Sequence, residues 1–284
     1  VSFQDKLTAR HQYLKSSLCV GLDPVLENLP TEFKKSPESM VAFCKKIIEA
    51  TQQYACAFKL NSAFFEVYGA AGFEWMREIL AAIPPEIVTI WDAKRGDIGN
   101  TSKAYAQAAF EYLKADAITL SPYMGSDSLK PFIEYNDKGC FVLCLTSNPG
   151  AADFQTPDLY LKVAQKVQAW NQHQNCGLVV GATQAAQMRA VREVFTDGPL
   201  LIPGVGAQGG DLAQSLALGR GRGPLAIALI NASRSIIFAS KGHDYLEKAA
   251  RAAEDLWRQC HAESALLGNV DAGAATAAGG SSTF

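Results

Sequence analysis

Histidine is scarce in this chain. There are four in 284 residues (His11, His173, His243 and His261), and none stands beside the polar end of an apolar run. That disfavours a His-based metal centre and a Ser-His-Asp triad, both of which need an imidazole at the site. An excess of one charge is also missing: 26 Lys and Arg against 28 Asp and Glu leave a formal net charge of −2. Nucleic-acid-binding surfaces are usually strongly basic, so no nucleic-acid partner is expected. An anionic ligand must then be held by a few local cations. The seven cysteines are odd in number and form no C-x-x-C pair. Cys19, Cys56 and Cys144 lie inside apolar runs, where a free thiol behaves as a small hydrophobe. This fits a reducing cytoplasm better than secretion. No apolar run approaches a membrane span and no N-terminal signal pattern is visible, so no membrane partner is expected either.

What the chain does have is a repeated unit. Short apolar runs recur at 18–22, 55–58, 87–91, 117–120, 140–145, 178–180, 200–202 and 225–230, and helical patterns separate them. Ser36 with Pro37, Asn100-Thr101-Ser102, and Thr156 with Pro157 read as helix starts. Buried runs alternating with helices indicate parallel βα units, and eight of them predict a single-domain α/β fold, the closed (β/α)8 barrel. The polar residues gather at the carboxyl ends of the runs: Asp23, Lys59, Asp92, Lys94, Ser147, Gln208 and Arg234. That is the face on which such barrels carry their active sites. A last helix is expected over 244–262. After Gly268 the composition becomes Ala, Gly, Ser and Thr with almost no large apolar residues, and 263–284 is expected to be a low-complexity, disordered tail.

The densest group is Asp92-Ala93-Lys94-Arg95-Gly96-Asp97, directly after the third run. Residues two apart in a strand share a side, so Asp92 and Lys94 project together, and Asp97 returns after the turn at Gly96. Two carboxylates around one ammonium at a strand mouth make a fixed charge array; the plain alternative is a solvated turn with a surface ion pair. Lys59 ends an apolar strand, where an ammonium is costly unless paired; Asp92 and Asp97 are the expected partners. Asp23 either joins this group or caps a helix.

Gly204-Val205-Gly206-Ala207-Gln208-Gly209 fits G-x-G-x-x-G, but a dinucleotide site is rejected. The motif sits in the seventh unit, and no acidic residue follows about twenty positions on. A monophosphate cup is the better reading, because barrels often bind phosphate with the loops after strands seven and eight. Glycines let backbone N–H groups approach an anion, a helix N-terminus favours one, and Arg234 offers a fork of donors.

Together these segments resemble the orotidine 5'-monophosphate decarboxylase family over residues 5–262. Asp92-Ala93-Lys94-Arg95-Gly96-Asp97-Ile98 matches the D-x-K-x-x-D signature, with Gly99-Asn100-Thr101 in pattern. Leu22-Asp23, Phe58-Lys59, Ser147-Asn148-Pro149-Gly150, Pro203 to Gly210 and Ser233-Arg234-Ser235 match the other segments in order. Length and motif are similar to the longer bacterial-type branch, with no fused phosphoribosyltransferase domain expected. The resemblance implies conversion of orotidine 5'-monophosphate to uridine 5'-monophosphate and CO2, without cofactor or metal, in pyrimidine biosynthesis. It implies Lys94 as the group that stabilises and protonates the carbanion at C6, Asp92 facing the departing carboxylate, and Lys59 and Asp97 holding the array. Lys59 and Asp23 would contact the ribose and Ser147 the base. Gln208 and Arg234 would hold the phosphate, with Pro203, Val205 and Ser233 also lining the nucleotide site. Asp97, Ile98 and Thr101 would come from the partner subunit of a homodimer. Three rivals remain. Metal-dependent sugar-phosphate decarboxylases and aldolases of the same barrel share D-x-K-x-x-D but carry a carboxylate where Lys59 stands. A Schiff-base aldolase needs a lysine of lowered pKa. A catalytically silent phosphate-binding barrel has no use for the charge array.

Overall fold

Eight parallel strands close on themselves in sequence order, β1 to β8, with β8 paired back to β1. The computed structural model describes residues 1–205 and 209–278, with side chains through residue 266. The strands are β1 Leu18–Leu22, β2 Ala57–Asn61, β3 Val88–Arg95, β4 Ala117–Leu120, β5 Gly139–Leu145, β6 Cys176–Val180, β7 Leu200–Pro203 and β8 Ala228–Ala232. This is the predicted (β/α)8 barrel. The eighth run is displaced: Leu225, Ala226 and Ile227 precede the strand, and Asn231 and Ala232 complete it. Leu225 to Ile227 belong to the turn before it, where Gly221 N donates to the Ala226 carbonyl and Ala226 N to the Gly223 carbonyl.

Alternation along the strands sorts the core in two. Outward residues such as Val20, Phe58, Trp91, Ile118, Val142 and Leu178 pack under the helices. Inward ones, among them Cys19, Ala57, Ile90, Phe141, Val179, Leu201 and Leu229, fill the barrel. The helix Phe3–Leu14 closes the bottom: Phe3 and Leu7 join the inner cluster, and the Phe3 ring meets Phe141 edge-on at 5.8 Å. Lys6 Nζ reaches Asp116 Oδ2 at 2.6 Å, tying that plug to the start of β4. The amino end is thus sealed by apolar packing, and the inward polar side chains lie toward the carboxyl ends of the strands.

Helix starts depart from expectation by a residue or two. The helix expected at Ser36-Pro37 runs Ser39–Thr51, because Ser39 N and Met40 N bond to the Ser36 and Pro37 carbonyls in tight i→i+3 turns first. The helix after Thr156-Pro157 is Leu159–Trp170. Gly99–Gln107 puts Asn100, Thr101 and Ser102 inside its first turn. The last helix, Tyr245–Ala278, continues well past the expected end at Ala262. Alanine is the best helix former, and extending an existing helix avoids the cost of a new nucleus, so an Ala-rich segment propagates it. The rest of the expected tail, 279–284, lies outside the described residues. Among the described residues no helix is long and apolar enough to cross a membrane.

Phe141 is fully buried where the plug meets the barrel interior. Phe141→Ala is expected to lower stability by about 3–5 kcal/mol through lost transfer energy and an unfilled cavity. Denaturant unfolding should show a reduced midpoint; an unchanged midpoint would mean that the plug does not seal the core.

Candidate active site

The strand ends build one charge array. Lys59 is an inward position of β2 and is 4% exposed. Its Nζ lies 3.0 Å from Asp92 Oδ2 and 3.7 Å from Asp23 Oδ1. Lys94 Nζ lies 2.7 Å from Asp92 Oδ1. Asp92, 8% exposed, therefore sits between two ammonium groups, one on each oxygen. Thr119 on β4 adds a hydroxyl donor, 2.8 Å from Asp92 Oδ1.

Electrostatics decide the charge states. Burial alone would raise the Asp92 carboxyl's pKa, but Lys59 and then Lys94 outweigh it and hold it well below the usual carboxylate range. Burial alone would lower the Lys59 pKa, but Asp23 and Asp92 override it and raise it above the ordinary lysine value. Asp92's stabilising contribution is complete above the ordinary carboxylate range and is lost as pH falls through its depressed value. Lys59's is complete below the ordinary lysine range and is lost as pH rises through its raised value. The Lys59–Asp92 pair is thus charged throughout the neutral range.

Two expectations change in detail. The second carboxylate beside Lys59 is Asp23, not Asp97, so Asp23 joins the array instead of capping a helix; the short helix Leu26–Asn28 has Val25 at its cap. Asp97 stands apart, its Oδ1 accepting from Ile98 N at 2.7 Å. Asp97, Ile98 and Thr101 do not line the cavity above the array; Ile98 is 56% exposed and Thr101 is exposed on its helix.

Asp92 and Lys94 meet by a route that simple alternation does not give. β3 pairs with β4 at Trp91–Ile118 and next at Arg95–Leu120, so Asp92, Ala93 and Lys94 all face Thr119. Within this bulge Lys94 adopts φ +49°, a left-handed conformation costly for a residue with a side chain. Arg95 turns outward, stacks over Trp91 and Tyr105, pairs with Glu66 and bonds the Ala93 carbonyl. The bulge is clasped from both sides.

Above the array lies a cavity of about 250 Å³. Asp23, Lys59, Asp92, Lys94, Ser147, Pro203, Val205, Ser233 and Arg234 all line it, as expected from the strand ends. Asn61, Thr119, Leu143, Thr146, Val179 and Asn231 line it too, and were not singled out in the sequence. Their signal was strand alternation: Asn61 shares the inward side of Lys59, Thr119 that of Ala117, Leu143 that of Phe141 and Asn231 that of Leu229. Gly21 makes room at β1, since a Cβ there would come within 2.7 Å of Ser233 Cβ. A larger cavity, about 610 Å³, lies outside the barrel interior among His11, Lys15, Arg220 and His261, and holds none of these groups.

Gly204, Val205 and the exposed Arg234 also line this cavity. Gly210 N bonds to the Gly204 carbonyl at 3.2 Å, and Gly204 and Gly209 have φ +96° and +82°. Gln208 lies outside the described residues. The helix Leu212–Gly219 is not an open anion site, because the Asp211 carboxylate already caps it, accepting from Gln214 N at 2.7 Å.

Known proteins match this chain in sequence and in fold. The family model of "Orotidine 5'-phosphate decarboxylase / HUMPS family" matches residues 16–249. An orotidine 5'-phosphate decarboxylase of Herpetosiphon aurantiacus is 47% identical over 259 residues, covering 89% of this chain and 95% of that protein. One from Dehalococcoides mccartyi is 47% identical over 266 residues, covering 90% and 96%. The solved structure of Leishmania donovani OMP decarboxylase superposes with TM-score 0.81 at 40% identity, over 93% of this chain and 99% of that one. With a closed barrel, a D-x-K-x-x-D motif at the end of β3 and relatives matched over nearly their whole length, the chain belongs to the orotidine 5'-phosphate decarboxylase family of carboxy-lyases.

Proposed function

We propose that the chain converts orotidine 5'-monophosphate to uridine 5'-monophosphate and CO2 by cofactor-free stabilisation of a C6 carbanion. The observation that carries this reading is Asp92 held between Lys59 and Lys94, 3.0 and 2.7 Å from their ammonium groups, on the floor of a cavity that ends in Arg234. The C6–carboxylate bond breaks heterolytically, neutral CO2 leaves, and the electron pair stays on C6. Lys94 offers a fixed positive charge to that pair and then donates a proton from Nζ to C6. Asp92 faces the substrate carboxylate and keeps Lys94 oriented. Preorganised charge placed where charge develops is worth far more in a closed site than in water. Lys59 holds Asp92 and, with Asp23, contacts the ribose. Ser147 reads the base. Arg234, Gln208 and the loop containing Pro203 and Val205, next to Ser233, take the phosphate. Seven free, buried cysteines support a cytoplasmic setting.

Lys94→Ala is expected to reduce turnover by at least about 10³-fold, since it removes both the charge and the proton donor. A spectrophotometric assay of pyrimidine absorbance, run with EDTA throughout, measures it; far-UV circular dichroism checks the fold. Near-normal turnover in the variant would sink the mechanism. Loss of wild-type activity in EDTA, restored by Mg²⁺, would point to the sugar-phosphate branch, although Lys59 holds an ammonium where a metal ion would need a carboxylate.

Arg234→Ala is expected to lower kcat/KM by about 10–100-fold, the scale of a lost charge-assisted hydrogen bond. An unchanged kcat/KM would remove Arg234 from phosphate binding.

The array is completed across a two-fold dimer, with Asp97, Ile98 and Thr101 reaching the neighbouring barrel mouth. Their position outside their own cavity supports this. In a C2 dimer the exchange is reciprocal. Inactive Lys94→Ala and Asp97→Ala chains, mixed equally and allowed to exchange, should regain about a quarter of the wild-type sites, because one site of each heterodimer has both residues intact. Verified heterodimers that stay inactive would assign Asp97 to its own chain.

A further inference from the structure

One hydroxyl spans both halves of the catalytic motif. Thr119 Oγ1 accepts from Lys94 N at 3.0 Å and donates to Asp92 Oδ1 at 2.8 Å. A hydroxyl has one proton to give, so the direction of both bonds is fixed: the Lys94 amide into Oγ1, and the Oγ1 proton into Asp92. Thr119 is 1% exposed, so water does not compete freely for either bond.

Its place in the sheet explains why a side chain is needed. Thr119 is the single β4 residue opposite Asp92, Ala93 and Lys94. The regular ladder stops at Trp91–Ile118 and resumes at Arg95–Leu120. A backbone N–H left without a partner inside a protein is costly, and the Lys94 amide finds its acceptor in the Thr119 side chain. That same bond holds Lys94 at φ +49°. The second bond fixes the oxygen of Asp92 that Lys94 Nζ approaches at 2.7 Å. Backbone and side chain of the proton donor are thus both referred to one atom.

We propose that Thr119 is a positioning residue for the decarboxylation: its hydroxyl takes the place of the missing strand ladder, holds Lys94 in its left-handed conformation and sets the Lys94–Asp92 ion pair in register with the reacting carbon. This rests on the decarboxylase reading given above. Thr119 does not transfer a proton to substrate; it acts through Lys94 and Asp92. Lysine and carboxylate placement belongs to the chemical step, and misplacement by about 1 Å can cost on the order of 10²-fold in rate. Phosphate and ribose binding lie elsewhere in the cavity and should be little affected.

The test compares Thr119→Val, which keeps the shape and removes the hydroxyl, with Thr119→Ser, which keeps the hydroxyl. Thr119→Val is expected to lower kcat about 10–100-fold with KM changed less than about threefold, the range of a lost hydrogen bond to a charged group and a shifted donor. Thr119→Ser should retain kcat within about threefold. Thermal melts and circular dichroism establish that each variant is folded; if Thr119→Val is not, Thr119→Ala is judged by the same kcat and KM criteria. A folded variant without the hydroxyl but with wild-type kcat overturns the proposal. So does an equal fall in kcat for Thr119→Ser, or a loss confined to KM. If wild-type protein fails to turn over orotidine 5'-monophosphate at all, the decarboxylase reading fails first, whatever the variants do.

Discussion

Everything at the mouth of the barrel depends on one carboxylate shared by two ammonium groups. Asp92 is nearly buried, and so is Lys59 behind it. A charge so placed is tolerable only when paired and hydrogen-bonded. Asp92 meets that demand with Lys94 and Thr119 on Oδ1 and Lys59 on Oδ2. Lys59 meets it with Asp92 and Asp23. These five residues come from the ends of β2, β3 and β4 and from the residue just after β1. The side-by-side pairing of β1, β2, β3 and β4 brings them together. Because opposing charges hold the array together, removing Asp92 would leave Lys59 with Asp23 alone at 3.7 Å, so the carboxylate matters to folding as well as to chemistry.

The bulge in β3 is the second constraint. Left-handed backbone at a residue with a side chain costs on the order of 1–3 kcal/mol and persists only where its surroundings dictate it. Here the surroundings are specific. Thr119 takes the Lys94 amide, while Arg95 is pinned to the helical side by Trp91, Tyr105 and Glu66. The inward and outward residues of the motif are therefore anchored to different layers. Lys94 is held toward the cavity, and its neighbour Arg95 is held away from it. In the inner layer a run of small or polar residues, Gly21, Lys59, Asp92, Thr119 and Asn231, replaces the bulky aliphatic packing found lower in the barrel, and this leaves the cavity open.

Much of this was legible in the sequence, for physical reasons that differ by element. Strand count and the polar rim were readable because buried parallel strands give uninterrupted apolar runs and because their functional residues collect at the carboxyl ends. The ends of β8 were misplaced, since Leu225, Ala226 and Ile227 are apolar without being strand; hydrophobicity reports burial, not hydrogen bonding. Asp23 was left open between two roles, because its pairing with Lys59 spans adjacent strands and no local spacing encodes it. Thr119 was hidden for a different reason. It sits inside an apolar run as an ordinary β-branched residue, and its importance arises only from a register shift in its neighbour. Asp97 was expected beside Lys94 from spacing alone. The turn at Gly96 carries it away from the cavity lined by Lys94.

The charge balance of the site bears on how the proposed reaction is driven. Within one chain the carboxylates of Asp23 and Asp92 offset the ammonium groups of Lys59 and Lys94, so the array itself exerts little net attraction on an anionic substrate. In the proposed function that attraction falls to Arg234 and the glycine loop. Binding there can hold a substrate carboxylate close to Asp92, a contact unfavourable in the ground state. When the C6 bond breaks, the negative charge moves from the carboxylate group to C6. In the proposed binding mode it leaves the neighbourhood of Asp92 and comes under Lys94. The interaction with the array therefore improves along the reaction coordinate, and only interactions that strengthen in the transition state accelerate a chemical step. In the proposed reaction the roles separate in space: remote contacts would supply affinity, and the array, held by Lys59 and Thr119, would supply a field that does not have to reorganise as the charge moves.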